Sequence, residues 1–306
     1  MELAQAERTD RGDEIRTGTR WLLVAFLVLT LLAVNQLFVL ADVADRYWAW
    51  TIPTEMTAGF LGAAYAAGFV LSALSLRENR WSRIRVPVVT VTVFTMVTAV
   101  ATLVHAHRLH LHDGGTVARV SAWVWLAVYL VVPVAAALVV YRQESTWRRP
   151  EDVLRPIPGR LRILLALQGA VMFVAGVVLF GGGLTVHHHV ESVTAFWPWK
   201  IMPLGSMAIG AWLIALGVAA AMVIGQRDLG RLFVSAVTYT VFGVFELAAL
   251  IWHWPQVRAG DPWTWIYLAV LVLITGTGAV GWRAARLPLP DDAAAPSRGR
   301  DHTGVT

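Results

Sequence analysis

Eight apolar stretches, almost free of charge and each long enough to cross a bilayer, dominate this sequence. They run approximately from Trp21 to Leu40, Met56 to Leu76, Val86 to His105, Val120 to Tyr141, Leu161 to Val186, Pro203 to Gly225, Leu232 to Trp252 and Trp263 to Gly281. A helix needs about 20 apolar residues to span the hydrocarbon core. In lipid every backbone polar group must find its partner within a helix or a closed barrel. The runs are continuous, without the apolar and polar alternation of barrel strands, so helices are predicted. Only 15% of the 306 residues are charged, against about a quarter in a soluble domain, which excludes a soluble fold.

The first run is followed by the small residues Ala41, Val43 and Ala44, as in a cleavable signal peptide. Its length exceeds the short apolar core of a signal, and we expect it to stay as a span. Sidedness follows from the basic residues. With a cytoplasmic N-terminus, twenty of the 25 Lys and Arg fall in cytoplasmic segments; Arg46, Arg108, Arg119, Lys200 and Arg258 fall outside. Such a bias in short loops orients membrane proteins, so both termini are expected in the cytoplasm and the chain in the cell membrane as a multi-pass protein. The basic residues are topological signals and not a nucleic-acid surface; the expected partner is the lipid bilayer. The chain has no cysteine, which excludes disulfides, thiolate metal sites and cysteine nucleophiles.

Internal similarity adds a second level of organisation. Tyr47-Trp48-Ala49-Trp50 matches Phe196-Trp197-Pro198-Trp199; Arg83 with Thr90-Val91-Thr92-Val93-Phe94 matches Arg231 with Thr238-Tyr239-Thr240-Val241-Phe242; His105 matches His253; and Trp123-Val124-Trp125 matches Trp263-Thr264-Trp265. The four matches keep one order, which argues for duplication of a four-helix unit. The expected fold class is therefore an all-α polytopic membrane protein, with eight transmembrane helices as two parallel four-helix repeats related by an axis along the membrane normal. The expected organisation is a cytoplasmic N-terminal segment over 1–19, a first repeat over 20–141, a cytoplasmic linker over 142–160, a second repeat over 161–286 and a disordered cytoplasmic tail over 287–306. Glycine and alanine in the second and sixth spans, among them Gly59, Gly62, Gly68, Gly205 and Gly210, allow close helix packing and mark a central pair.

Polar chemistry is concentrated on one side. His105, His107, His110, His112, His187, His188, His189 and His253 all fall at outer span ends or in outer loops, and only His302 is cytoplasmic. Neutral imidazole suits transition metals and haem iron. One reading pairs His105 with His253 on a metal or haem iron; another uses the His105-x-His107 and His110-x-His112 pairs, with His187 to His189, as a loop metal site; a third makes the histidines a pH-sensitive gate; the plainest leaves them solvated. Haem or a transition metal is the cofactor these residues could take. Glu246 lies within the seventh span, where an ionisable group is costly enough to mark a site by default. Steps of seven residues place Tyr239, Glu246 and His253 on one helical stripe, and Val91, Thr98 and His105 on the matching stripe. Glu246, Tyr239 and Thr98 are the candidate substrate-binding residues; the alternative is that Glu246 only hydrogen-bonds a neighbouring helix. Asn35, Gln168, Thr90, Thr92, Thr238 and Thr240 are expected to make interhelical hydrogen bonds, and Glu55 to be hydrated at the outer interface.

Eight spans in two halves with histidines at outer helix ends is a layout similar to that of haem A synthases. Their cysteine-containing outer loop is missing here, and seven residues separate Glu246 from His253 where that family has five. The likeness is one of layout and assigns no family. No phosphate loop, nucleophile elbow or zinc-protease helix is present, and the sequence offers no catalytic residue. It points first to a small-molecule or ion carrier with an outward-facing site near Glu246, His105 and His253. The alternatives are a haem- or metal-binding oxidoreductase or biogenesis factor using the same histidines, and a structural assembly partner whose tryptophans anchor it at the lipid interface.

Overall fold

A computed structural model describes residues 13–148, 155–184, 194–226 and 228–286. Eight long helices account for most of them: α1 (Thr17–Val34), α2 (Glu55–Arg77), α3 (Trp81–Val104), α4 (Thr116–Glu144), α5 (Gly159–Leu184), α6 (Pro203–Gln226), α7 (Phe233–Trp252) and α8 (Pro262–Arg286). Among the described residues there is no strand, only three isolated bridges. All eight helices are long and apolar enough to cross a membrane. The expected tail over 287–306, part of the linker over 142–160 and the run His187 to His189 lie outside the described residues.

The helices form two sets. Residues 56–68 of α2 and 204–213 of α6 are buried without interruption, α3 is mostly enclosed, and α7 is half enclosed. Around this central set lie α1, α4, α5 and α8, whose outward faces carry Leu31, Leu32, Val131, Val134, Val171, Val174, Val272 and Val280 in the open. Apolar side chains exposed in this way suit a lipid solvent. Helix α2 packs between α1 and α7, and α6 between α5 and α3; α4 lies on α3, and α8 on α7.

Small residues set the spacing. A Cβ at Gly176 would stand 2.8 Å from Gly210 O, and one at Gly210 2.7 Å from Gly176 O. Helices α5 and α6 therefore meet backbone to backbone. At Gly62 a Cβ would stand 2.6 Å from Phe38 N, so α2 presses on the far end of α1. There the chain winds as a π-helix, Asn35–Val39, a widened turn of the kind that occurs at single sites within helices. In lipid no hydrophobic force pulls helices together, so these contacts are dispersion interactions that only small residues permit.

Three of the threonines expected to cross-link helices do otherwise. Thr90, Thr92 and Thr240 donate to Val86 O, Val88 O and Ala236 O of their own helices at 2.7, 2.8 and 2.9 Å. A threonine hydroxyl reaches the carbonyl one turn back without help from another helix. Gln168 does bridge helices, donating to Thr277 Oγ1 at 3.0 Å and accepting from Tyr239 OH at 3.1 Å.

The end of the bundle carrying the arginines is tied by a polar network. Asp13, buried, accepts from Ser82 N at 2.8 Å, Ser82 Oγ at 2.6 Å and Trp147 Nε1 at 3.0 Å. Glu144 accepts from Trp81 Nε1 at 3.0 Å and pairs with Arg85 at 2.6 Å. The segment before α1 is thereby fixed to α3 and α4.

The glycine contacts give a direct expectation. Gly176→Ala or Gly210→Ala should destabilise the detergent-purified protein by about 1–3 kcal/mol, the usual cost of overpacking. Gly181→Ala, where a Cβ meets nothing within 4 Å, should leave the melting temperature unchanged or raise it.

Candidate functional site

The end of the bundle opposite the arginine network carries the candidate chemistry. Before α2 the chain runs through Trp48-Ala49-Trp50, and before α6 through Trp197-Pro198-Trp199; all four tryptophans are buried. Backbone hydrogen bonds hold both segments: His110 N donates to Ala49 O and Arg258 N to Pro198 O, each at 2.9 Å. Arg258 also donates through its guanidinium to Ala195 O at 2.9 Å and to Trp197 O. Trp199 Nε1 donates to Thr57 Oγ1 at 2.9 Å. The interface-anchor reading therefore does not hold for these four side chains. Trp123, Trp252, Trp263 and Trp265, at the same end, are exposed.

Each tryptophan pair receives an aromatic side chain from a peripheral helix. Trp125 of α4 lies 5.4 Å from Trp48 and 4.8 Å from Trp50; Tyr267 of α8 lies 5.4 Å from Trp197 and 5.6 Å from Trp199. Sequence matching aligns Trp125 with Trp265, whereas packing puts Tyr267, two residues further on, in the corresponding place. Both then hydrogen-bond a central helix: Trp125 Nε1 donates to Thr102 Oγ1 of α3 at 3.0 Å, and Tyr267 OH to Glu246 Oε2 of α7 at 3.3 Å.

Glu246 is fully buried. Its second oxygen, Oε1, has no hydrogen-bond partner among the described residues. Tyr267 separates it from a cleft of 640 Å³ between α5 and α8, walled by Val171, Val174, Trp197, Tyr267 and Ile274. A matching cleft of 340 Å³ lies between α1 and α4, against Trp48, Trp125 and Tyr129. The indole Nε1 atoms of Trp48 and Trp197, one beside each cleft, are likewise buried without a partner.

The other sequence-derived candidates are dispersed. Tyr239 points to Gln168 and to Met172 Sδ at 3.9 Å, and lines a separate apolar cavity of 100 Å³ between the central helices. Thr98, buried, faces Tyr129, whose hydroxyl shares a 3.0 Å hydrogen bond with Tyr65. The stripe of Tyr239, Glu246 and His253 thus sends its three side chains to α5, α8 and α2, and no hydrogen bond among the described residues links one member to the next.

His105 and His253 occupy like positions and meet unlike partners. Each caps its helix, with φ −110°, ψ 24° and φ −102°, ψ 26°, and each is followed by a short 3-10 turn. His105 Nε2 donates to Gly183 O at 3.0 Å. His253 Nδ1 stands 3.5 Å from Glu55 Oε2. Glu55 is only half-buried and accepts from Gln256 Nε2 at 2.9 Å. His107 lies 5.9 Å from His105, His110 Nε2 is 3.0 Å from Thr51 Oγ1, and His112 packs 6.4 Å from Trp123. The structure does not gather His107, His110 and His112 into one ligand set. Among the described residues, the one group of three or more metal-capable side chains that converges is Asp42, Glu55 and His253.

The fold and these polar groups define a multi-pass integral membrane protein built as an all-helical bundle. No family model, curated protein or solved structure matches this chain. The functional reading therefore rests on the residues themselves. Tyr267 and Asp42 escaped sequence reasoning. Tyr267 was hidden by the more prominent Trp263 and Trp265; Asp42 sits in a turn with no motif around it.

Burial holds the His105 imidazole below its ordinary value near 6.5; the Gly183 carbonyl opposes this, and His107 and Arg108 add to it. The unfolded chain thus binds this proton more readily than the folded one, so the associated stability is present above about pH 6.5 and is lost as pH falls. Melting temperature should drop between about pH 7.5 and pH 5.5, and His105→Gln should flatten that dependence.

Proposed function

We propose that this protein is a membrane carrier that binds an apolar small molecule bearing a cationic or hydrogen-bond-donating group, with Glu246 as the polar contact. The observation that carries the reading is a fully buried carboxyl with one oxygen held by Tyr267 and the other without a partner, behind the wall of the 640 Å³ cleft. A carboxyl in such a place is costly unless it has a task. The cleft supplies apolar contact for the body of a ligand, and Glu246 Oε1 supplies the directed interaction. Movement of Tyr267 would connect the two. Thr98 is the counterpart of Glu246 in the first half, where it faces Tyr129; Tyr239, at its own cavity, would act on a later step of passage.

The duplication belongs to the same proposal. The like caps at His105 and His253, the like hydrogen bonds His110 to Ala49 and Arg258 to Pro198, and the two clefts support a pair of four-helix repeats. We place the arginine-rich end in the cytoplasm, and with it both termini, in the cell membrane. The lack of cysteine makes this easy to test. Single cysteines at Asp113 and Glu78 should react with an impermeant maleimide from outside the cell and only after permeabilisation, respectively; the reverse pattern would invert the topology.

Purified protein should bind tetraphenylphosphonium, a lipophilic cation, saturably. Glu246→Gln should weaken this at least tenfold, the equivalent of about 1.4 kcal/mol, with the melting temperature retained. Tyr267→Phe, which removes the hydrogen bond that fixes the carboxyl, should weaken it less. Equal binding by the wild type and Glu246→Gln would remove the carrier reading.

A further inference from the structure

We propose that Asp42, Glu55 and His253 form a binding site for one divalent transition-metal ion of the zinc class. The three come from different parts of the chain: Asp42 from the 3-10 turn Ala41–Val43 beyond α1, Glu55 from the first turn of α2, and His253 from the cap of α7. One ligand atom from each lies within 4.8 Å of the other two. Neutral imidazole with two carboxylates is a donor set that zinc accepts, and two carboxylates balance the charge of the ion. Three protein ligands leave a fourth position open to water.

Several observations separate this site from a chance cluster. His253 is buried, 5% exposed, and its ring makes no hydrogen bond among the described residues; its Nδ1 stands 3.5 Å from Glu55 Oε2. A charge-assisted hydrogen bond would be nearer about 2.8 Å. Ligand atoms about 2.0–2.2 Å from a tetrahedral ion stand roughly 3.3–3.6 Å apart, and the His253 Nδ1 to Glu55 Oε2 distance of 3.5 Å falls in that range, with an Asp42 oxygen within 4.8 Å of both. Glu55 is held in place by a further residue: Gln256 Nε2 donates to Glu55 Oε2 at 2.9 Å while Gln256 Oε1 accepts from Met56 N at 2.9 Å. Oriented carboxylate ligands are characteristic of metal sites. The His253 ring is seated by Gly59, where a Cβ would come within 3.1 Å of Cδ2. Asp42 is the exposed member.

Among the described residues the site occurs once. His105, in the like position on α3, is already bonded to Gly183 O. The inference stands apart from the carrier reading, because none of its residues contacts Glu246. An ion here would pin the ends of α1, α2 and α7 together.

The test is titration of Zn²⁺ alone into metal-stripped, detergent-purified full-length protein, read by competition with a chromophoric chelator and by melting temperature. The starting chain carries His187→Ala, His188→Ala and His189→Ala, to remove the histidine run as an adventitious ligand. We expect one equivalent bound with a rise in melting temperature. Asp42→Asn, Glu55→Gln and His253→Gln should each lose the rise, and Gln256→Ala should weaken binding about 10–100-fold, as loss of an orienting partner does. Full retention of Zn²⁺ binding by folded Glu55→Gln and His253→Gln would overturn the proposal, as would no saturable binding by the parent chain. A variant that fails to fold is replaced by His253→Asn or Glu55→Ala, to which the same expectation applies.

Discussion

The bundle depends on the approach of helix backbones at glycine. Lipid offers no hydrophobic gain for bringing helices together, so attraction must come from dispersion over short distances. At Gly176 and Gly210 two helices touch along their main chains, and at Gly62 α2 meets the last turns of α1. These contacts pull the central helices inward and leave the peripheral ones to face lipid. They also fix where α1 ends, which brings Asp42 toward the start of α2. The placement of polar groups at the histidine end is a consequence of packing decided well below it.

Within this frame the polar residues are distributed unequally. The two tryptophan pairs and the aromatic side chains that meet them are nearly equivalent, yet Trp125 reaches a threonine and Tyr267 a carboxyl group. His105 ends on a backbone carbonyl, while His253 ends beside Glu55. Among the described residues, unpartnered buried polar atoms occur beside both clefts, Trp48 Nε1 and Thr98 Oγ1 on one side and Trp197 Nε1 and Glu246 Oε1 on the other, but only the second set includes a carboxyl.

The number of helices was legible because a span announces itself by length and apolarity alone, and each expected run lies on one of the eight helices. Central and peripheral roles were legible for α2 and α6 from their glycines, since a small residue in a span has few other uses. The register of α8 was not. Trp263 and Trp265 match the first half by residue type, but a helix turns its faces every 3.6 residues, and the buried face carries Thr264 and Tyr267. Nor could spacing foretell the threonine bonds, because a hydroxyl that finds a carbonyl in its own helix gives no sign of it in sequence. Glu246 and His253 were visible as candidates from their cost and position. That Glu55 and Asp42 meet one of them depends on three helix ends arriving together, which no local pattern encodes.

The 640 Å³ cleft lies between α5 and α8, the two peripheral helices on that side. A molecule reaching it would come sideways out of the membrane. Its effective concentration there is set by how strongly it partitions into lipid, so occupancy would follow hydrophobicity as much as fit. Selection would then occur in two stages, first by the bilayer and then by the carboxylate behind Tyr267.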